Sequence, residues 1–234
     1  MKGSNTMYKL KEIRKSNITG KAVLLILLTA LFALSPNMQA QAFGPLLPIE
    51  LMFGNEQLFF EMVIKKRFTP ESKLGFFTVA TFSARYEDFH DVDIALPVHM
   101  YYDVWKGFAP IAGGSMNSVV GFSPYAGLQH TYATHQILAV TVASFYLNSA
   151  NDFKIFGLYE YKPPINENWS FYSRVQFMYN TSLKEESHNR SFLYLRAGVK
   201  KDAIIFGLGA NLDQYGPFKT FEDNYGVFLR YELK

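Results

Sequence analysis

The 234-residue sequence contains no cysteine. That absence excludes a disulfide framework, a thiolate metal centre, a thiol nucleophile and lipid attachment at an N-terminal cysteine, leaving packing and hydrogen bonding to hold the fold. Also missing is any uncharged apolar run of the roughly 20 residues that a membrane-crossing helix needs; the longest, AVLLILLTALFALS at 22–35, has 14. The net charge of +3 is small and unevenly placed. Lys2, Lys9, Lys11, Arg14, Lys15 and Lys21 against Glu12 give the first forty residues +5, so the remainder carries −2. No basic stripe remains to neutralise a run of phosphates, which removes nucleic acid from the expected partners.

What is present begins with a leader. A basic region up to Lys21, the apolar stretch and Pro36-Asn37-Met38-Gln39-Ala40 follow the order of a secretory signal peptide. Residues 1–40 are read as that signal peptide, cleaved after Ala40 or after Ala42. Residues 41–56, with Gly44, Pro45 and Pro48, are read as a lead-in, and 57–234 as one domain.

In that domain apolar and polar residues alternate in segments of about ten, separated by stretches rich in Gly, Pro, Asn, Asp and Ser. Leu58, Phe60, Met62 and Ile64 alternate with Glu61, Lys65 and Arg67. Ile94, Leu96, Val98, Met100 and Tyr102 oppose Asp93, His99, Tyr101 and Asp103, and Tyr225, Val227, Leu229, Tyr231 and Leu233 oppose Arg230 and Glu232. A period of two sends these sets to opposite faces of a sheet. Segments 58–67, 74–86, 94–103, 121–132, 137–147, 154–161, 169–179, 192–199, 204–212 and 225–233 give about ten strands, with 8–12 as the range. The interval 106–120 leaves room for part of another. Alternate connections at 87–91, 133–136, 162–168 and 200–203 are short, whereas 105–120, 181–191 and 213–224 are long.

An all-β, antiparallel up-and-down barrel with an oily outside follows, and in this the sequence resembles the small outer-membrane β-barrels of bacteria. The resemblance is one of pattern, without a family-specific motif, and covers nearly all of 57–234. Tyr225, Val227, Leu229, Tyr231 and Leu233 match the closing strand such barrels present to the insertion machinery, although the chain ends Leu233-Lys234 and not on Phe. The resemblance implies outer-membrane localisation, short periplasmic turns, longer outer loops and two aromatic girdles, with Tyr102, Trp105, Phe145, Tyr146, Tyr179 and Tyr225 near outer strand ends and Tyr86, Tyr132, Tyr161, Trp169 and Tyr231 near inner ones. It also implies outer-membrane lipid and the insertion machinery as partners, with the barrel itself a monomer. A soluble barrel of lipocalin type, polar outside, is the competing architecture.

Facing inward are Glu61, Lys65, Arg67, Arg85, Asp93, His99, Asp103, Glu160, Arg174, Arg196, Arg230 and Glu232, with the two signs nearly balanced. Pairs Arg85–Asp93, Glu160–Arg174 and Glu61–Arg230 are expected to fill a narrow lumen, since charges taken out of water need partners.

No catalytic, metal or cofactor site is expected, and the chain reads as no enzyme. Lipid A deacylases and outer-membrane phospholipases pair a serine with a nearby histidine; His130-Thr131-Tyr132 and His188-Asn189-Arg190-Ser191 are the nearest approaches, the latter in a loop with nothing to fix its geometry. Asp213, Glu222 and Asp223 form no recognisable omptin-type protease site. Asp88-Phe89-His90-Asp91-Val92-Asp93 reads as turn chemistry before a metal site. Gly113-Gly114 and Gly207-Leu208-Gly209 lack the following helix of a phosphate loop. Three functions remain: a structural or surface-interaction barrel acting through its outer loops, which is favoured; a small-solute channel or transporter; and a barrel enzyme acting on envelope lipids.

Overall fold

The computed structural model describes residues 47–88, 92–118 and 121–233. The signal-peptide reading of 1–40 lies outside them. Twelve strands follow in order: β1 Leu47–Gly54, β2 Gln57–Arg67, β3 Leu74–Arg85, β4 Val92–Tyr102, β5 Phe108–Asn117, β6 Gly121–Ala133, β7 Ile137–Tyr146, β8 Asp152–Tyr161, β9 Trp169–Ser182, β10 Ser187–Lys201, β11 Ile204–Tyr215 and β12 Thr220–Leu233. Each pairs antiparallel with its neighbours in sequence, and β1 pairs with β12 over Leu47↔Leu233 to Gly54↔Gly226, closing the sheet into a barrel. Closure leaves no strand edge. The even strand number puts both ends of the described barrel at one rim, called here the terminal rim; the opposite one is the distal rim.

Two strands escaped the sequence reading. The first is β1, which occupies half of what read as a lead-in. Its Ile49, Leu51 and Phe53 alternate with Glu50 and Met52 in the same in–out pattern, while Pro48 sits near the end of the strand, where a missing donor is tolerated. The second is β5, whose Pro110, Gly113 and Gly114 look like a loop. Gly113 is required by close approach: a Cβ there would lie 2.1 Å from the Val98 carbonyl oxygen and 2.5 Å from His99 Cα on β4.

The long outer loops also dissolve. Segments 181–191 and 213–224 are mostly the extended ends of β9 to β12, and every connection is between two and seven residues long on either rim. Each missed strand inverts the assignment of all connections after it; the two inversions cancel from β6 onward. Tyr102 and Trp105 therefore belong to the terminal rim and Tyr86 to the distal one, and Tyr146 points inward, 7% exposed.

The two faces differ sharply. Outside, Ile94, Leu96, Val98 and Met100 on β4, Phe206 and Leu208 on β11, and Val227 and Leu229 on β12 are all exposed, Leu208 by 68%. Inside, one wall is apolar, formed by Val63, Phe77, Val79, Tyr101, Ile111, Tyr125, Val140, Val142 and Leu158 of β2 to β8. The other wall sets charge beside a second, smaller apolar cluster of Met52, Phe59, Tyr172, Tyr194, Ile205 and Phe228.

Candidate functional site: a charged track through the lumen

The charged wall is built by β8 to β12 with β1 and β2. Its centre is Arg174 on β9, whose side chain is wholly inaccessible to solvent. Nη2 donates to Glu50 Oε1 on β1 at 2.8 Å and Nη1 to Glu61 Oε1 on β2 at 2.6 Å. Glu50 also accepts from Arg196 Nε at 2.8 Å and lies 3.9 Å from Arg230 Nη1. Arg230 Nη2 meets Glu160 Oε1 at 2.6 Å. Three arginines thus face three glutamates, all at most 3% exposed. Flat guanidinium groups fit here because rings flank them: Arg196 stands over Phe59 and Phe228, and Arg230 over Tyr172. Gly209 makes room, since a Cβ there would come within 3.0 Å of Arg196 Cδ.

From this centre the track runs to both rims. Toward the terminal rim, Lys162 Nζ lies 3.0 Å from Glu160 Oε2 and 2.6 Å from Glu232 Oε1, and Lys200 also pairs with Glu232. Toward the distal rim, Arg196 Nη1 donates to Asn211 Oδ1 at 2.8 Å. Above it Arg190 pairs with Asp213 at 3.0 Å and with Asp93 at 2.8 Å. A cavity of about 170 Å³ opens there, lined by Asn211, Asp213, Glu222, Asp223, Glu56 and Arg85 among others.

Several buried polar atoms along the track have no protein partner: both amide ends of Gln176, Nε of Arg174 and Arg230, Nη2 of Arg196, Oε2 of Glu61 and Nδ2 of Asn211. Groups of this kind in protein interiors take up water or a ligand. The apolar wall has far less such capacity. Its His99 is satisfied on both nitrogens, donating from Nε2 to Gln129 Oε1 at 2.7 Å and accepting at Nδ1 from Tyr125 Oη at 2.9 Å.

Of the inward residues named from sequence, Glu61, Glu160, Arg174, Arg196, Arg230 and Glu232 are brought together on the track, and Asp93 joins at its distal mouth. His99 belongs to the apolar wall, and Lys65 stands 5.2 Å over the Tyr101 ring. Arg67 pairs with Asp103 at the terminal rim, and Arg85 with Glu222 at the distal one. The expected pairings need correction. Arg85 does not hold Asp93, Glu160 and Arg174 are register partners whose charges go elsewhere, and Glu61 meets Arg174 and not Arg230. Charges here pair across the lumen, which adjacency along the chain does not reveal. Sequence reasoning missed Glu50, Lys162, Arg190, Lys200 and Asp213; Glu50 was hidden by the lead-in reading, although its alternation with Ile49 and Leu51 gives the signal.

His188 and Ser191 are not in a loop but on β10, with Nε2 3.0 Å from Oγ. Phe89, His90 and Asp91 of the candidate metal cluster lie outside the described residues, and among the described residues no three His, Asp or Glu are gathered as a metal site.

A closed antiparallel barrel with an apolar belt outside and charge within is the arrangement of an outer-membrane β-barrel, because only such a surface is at home in hydrocarbon. No protein-family model matches the chain, and no curated protein does. Among solved structures it is similar to a KdgM porin, with 12% identity over 81% of this chain and 99% of that one at a TM-score of 0.46. A NanC porin gives 11% identity over 81% and 100% at 0.45. The outer membrane protein opdK from Pseudomonas aeruginosa gives 10% over 74% and 67% at 0.37.

Proposed function

We propose that this chain is an exported outer-membrane barrel, acting as a monomer, that passes small polar solutes through a lumen closed in the described conformation by cross-lumen ion pairs. The observation that carries this reading is the contrast between the two walls. A lumen serving only as a structural plug is stabilised as well or better by apolar packing, and the β2 to β8 wall has that packing. The opposite wall, beside its own smaller apolar cluster, keeps a rim-to-rim track of charges with unspent hydrogen-bonding capacity at Gln176, Arg174 and Asn211. Hydrated solutes need such partners along their path. The favoured sequence reading, binding through long outer loops, loses its basis because connections of two to seven residues offer little surface. Inserted into the outer membrane with its termini periplasmic, the barrel opens its distal mouth, at Arg190 and Asp93, to the outside.

Planar-bilayer recording tests the reading. Wild-type protein is expected to be mostly closed with small, brief conductance steps. Arg174→Ala, which removes the residue joining β9 to β1 and β2, is expected to lengthen and enlarge them. Silence of both, with folding verified by heat-modifiable gel mobility, rejects the channel.

A further inference from the structure

On the outer surface of the barrel, at its distal end, His188 and Ser191 are held in a geometry that the charged lumen does not use. Residues three apart in a regular strand point to opposite faces. Here a bulge intervenes: His188 is opposite Thr181 while Arg190 is opposite Asn180, leaving Asn189 as the extra residue. The bulge is pinned, since Asn189 Nδ2 donates to Asp152 Oδ1 at 2.9 Å and its carbonyl accepts from Gly216 N at 2.7 Å. Its effect is to bring His188 and Ser191 to one face, beside the Tyr179 ring.

The hydrogen bonds fix the tautomer. His188 Nδ1 lies 2.7 Å from the Gly216 carbonyl oxygen, which can only accept, so Nδ1 carries the proton. Nε2 is then the acceptor for the Ser191 hydroxyl at 3.0 Å. This is the orientation a general base needs toward a nucleophile, with a backbone carbonyl as the orienting third group. Gln214 on β11 brings its side-chain Oε1 to 3.4 Å from Ser191 Oγ, a second and longer acceptor for that hydroxyl. Rotation of that amide presents an N–H to oxygen charge developing beside the serine.

Position names the substrate. Ser191 is one inward–outward repeat above the exposed Leu193 and, through Gln214, level with the exposed rings of Tyr179 and Phe221, at the distal end of the apolar belt. Ester carbonyls of membrane lipids lie at that boundary between hydrocarbon and headgroup. We propose that Ser191 and His188 are a nucleophile and base that hydrolyse acyl esters of amphiphilic lipid at the distal membrane interface. Ser191 Oγ attacks the ester carbonyl while its proton passes to Nε2. The bond to the alcohol breaks, and the alcohol leaves with that proton. Water then attacks the acyl-serine, giving a proton to Nε2; the carboxylic acid departs, and Ser191 regains its proton.

The test uses the whole chain in non-ionic detergent, folded by heat-modifiable mobility, treated with an alkyl fluorophosphonate and peptide-mapped by mass spectrometry. Attack by Ser191 Oγ displaces fluoride from phosphorus. A label on Ser191, slowed at least about 100-fold in His188→Asn, is expected. Absence of label in folded wild-type protein overturns the proposal, as does an undiminished rate in folded His188→Asn. If that variant fails to fold, the wild-type map decides, with p-nitrophenyl laurate hydrolysis by wild type and not by Ser191→Ala as the second readout; equal hydrolysis by both also overturns it.

Discussion

Arg190 on β10 and Asp93 on β4 stand six places apart in a ring of twelve strands, yet Nη1 of one lies 2.8 Å from Oδ2 of the other. A single ion pair therefore spans the distal mouth. Both side chains are partly exposed, 24% and 32%, so the bridge adds only about 0–1 kcal/mol to stability. In the proposed channel it is a latch across the opening more than a brace. Asp93→Ala is expected to leave the unfolding midpoint in urea nearly unchanged and to raise open-state occupancy in bilayer recordings.

The central belt behaves differently, because its arginines and glutamates are at most 3% exposed. Arg174→Met leaves Glu61 without its cationic partner inside the barrel and is expected to destabilise by about 3–5 kcal/mol. The double variant Arg174→Met, Glu61→Met removes the stranded charge. Its loss, measured by urea unfolding in detergent micelles, is expected to be smaller than that of Arg174→Met alone.

Arg230→Glu puts a carboxylate against Glu160 and near Glu50. Like charges in that confinement are expected to abolish the heat-modifiable form or lower its melting temperature steeply. Unchanged heat resistance would show that Arg230 holds nothing together.

Leu208 sits midway along β11 and is 68% exposed. Leu208→Arg is expected to cost about 2–4 kcal/mol for folding into lipid vesicles, the penalty for a cation at the bilayer midplane. Phe218→Arg, in the distal turn and 95% exposed, should cost close to nothing. A soluble barrel would tolerate both equally, which makes the comparison a test of the membrane assignment.

Removing β1 by starting the chain at residue 56 would leave β2 and β12 with unpaired edges and Arg174 without Glu50. Such a chain is expected to aggregate and to show no mobility shift on heating.

The sequence by itself determined the barrel's class and the face each strand residue takes. Leu96 and Leu229 outward, His99 and Arg230 inward, follow from a period of two, a property of the extended backbone that needs no knowledge of neighbours. It also supplied most members of the lumen track. Strand number was less legible, because β1 and β5 are rich in Pro and Gly, whose use at Pro48 and Gly113 depends on what lies alongside. Only the tertiary structure decided the pairings. Closure brings β9 to face β1 and β2, so Arg174 meets Glu50 and Glu61 from 124 and 113 residues away, in preference to the neighbour that register sets beside it. The same holds outside the barrel, where the bulge at Asn189 turned two residues of opposite parity into a hydrogen-bonded pair. Local periodicity fixes which face a side chain takes, but the partner it finds there depends on curvature and closure, which no short stretch of chain encodes.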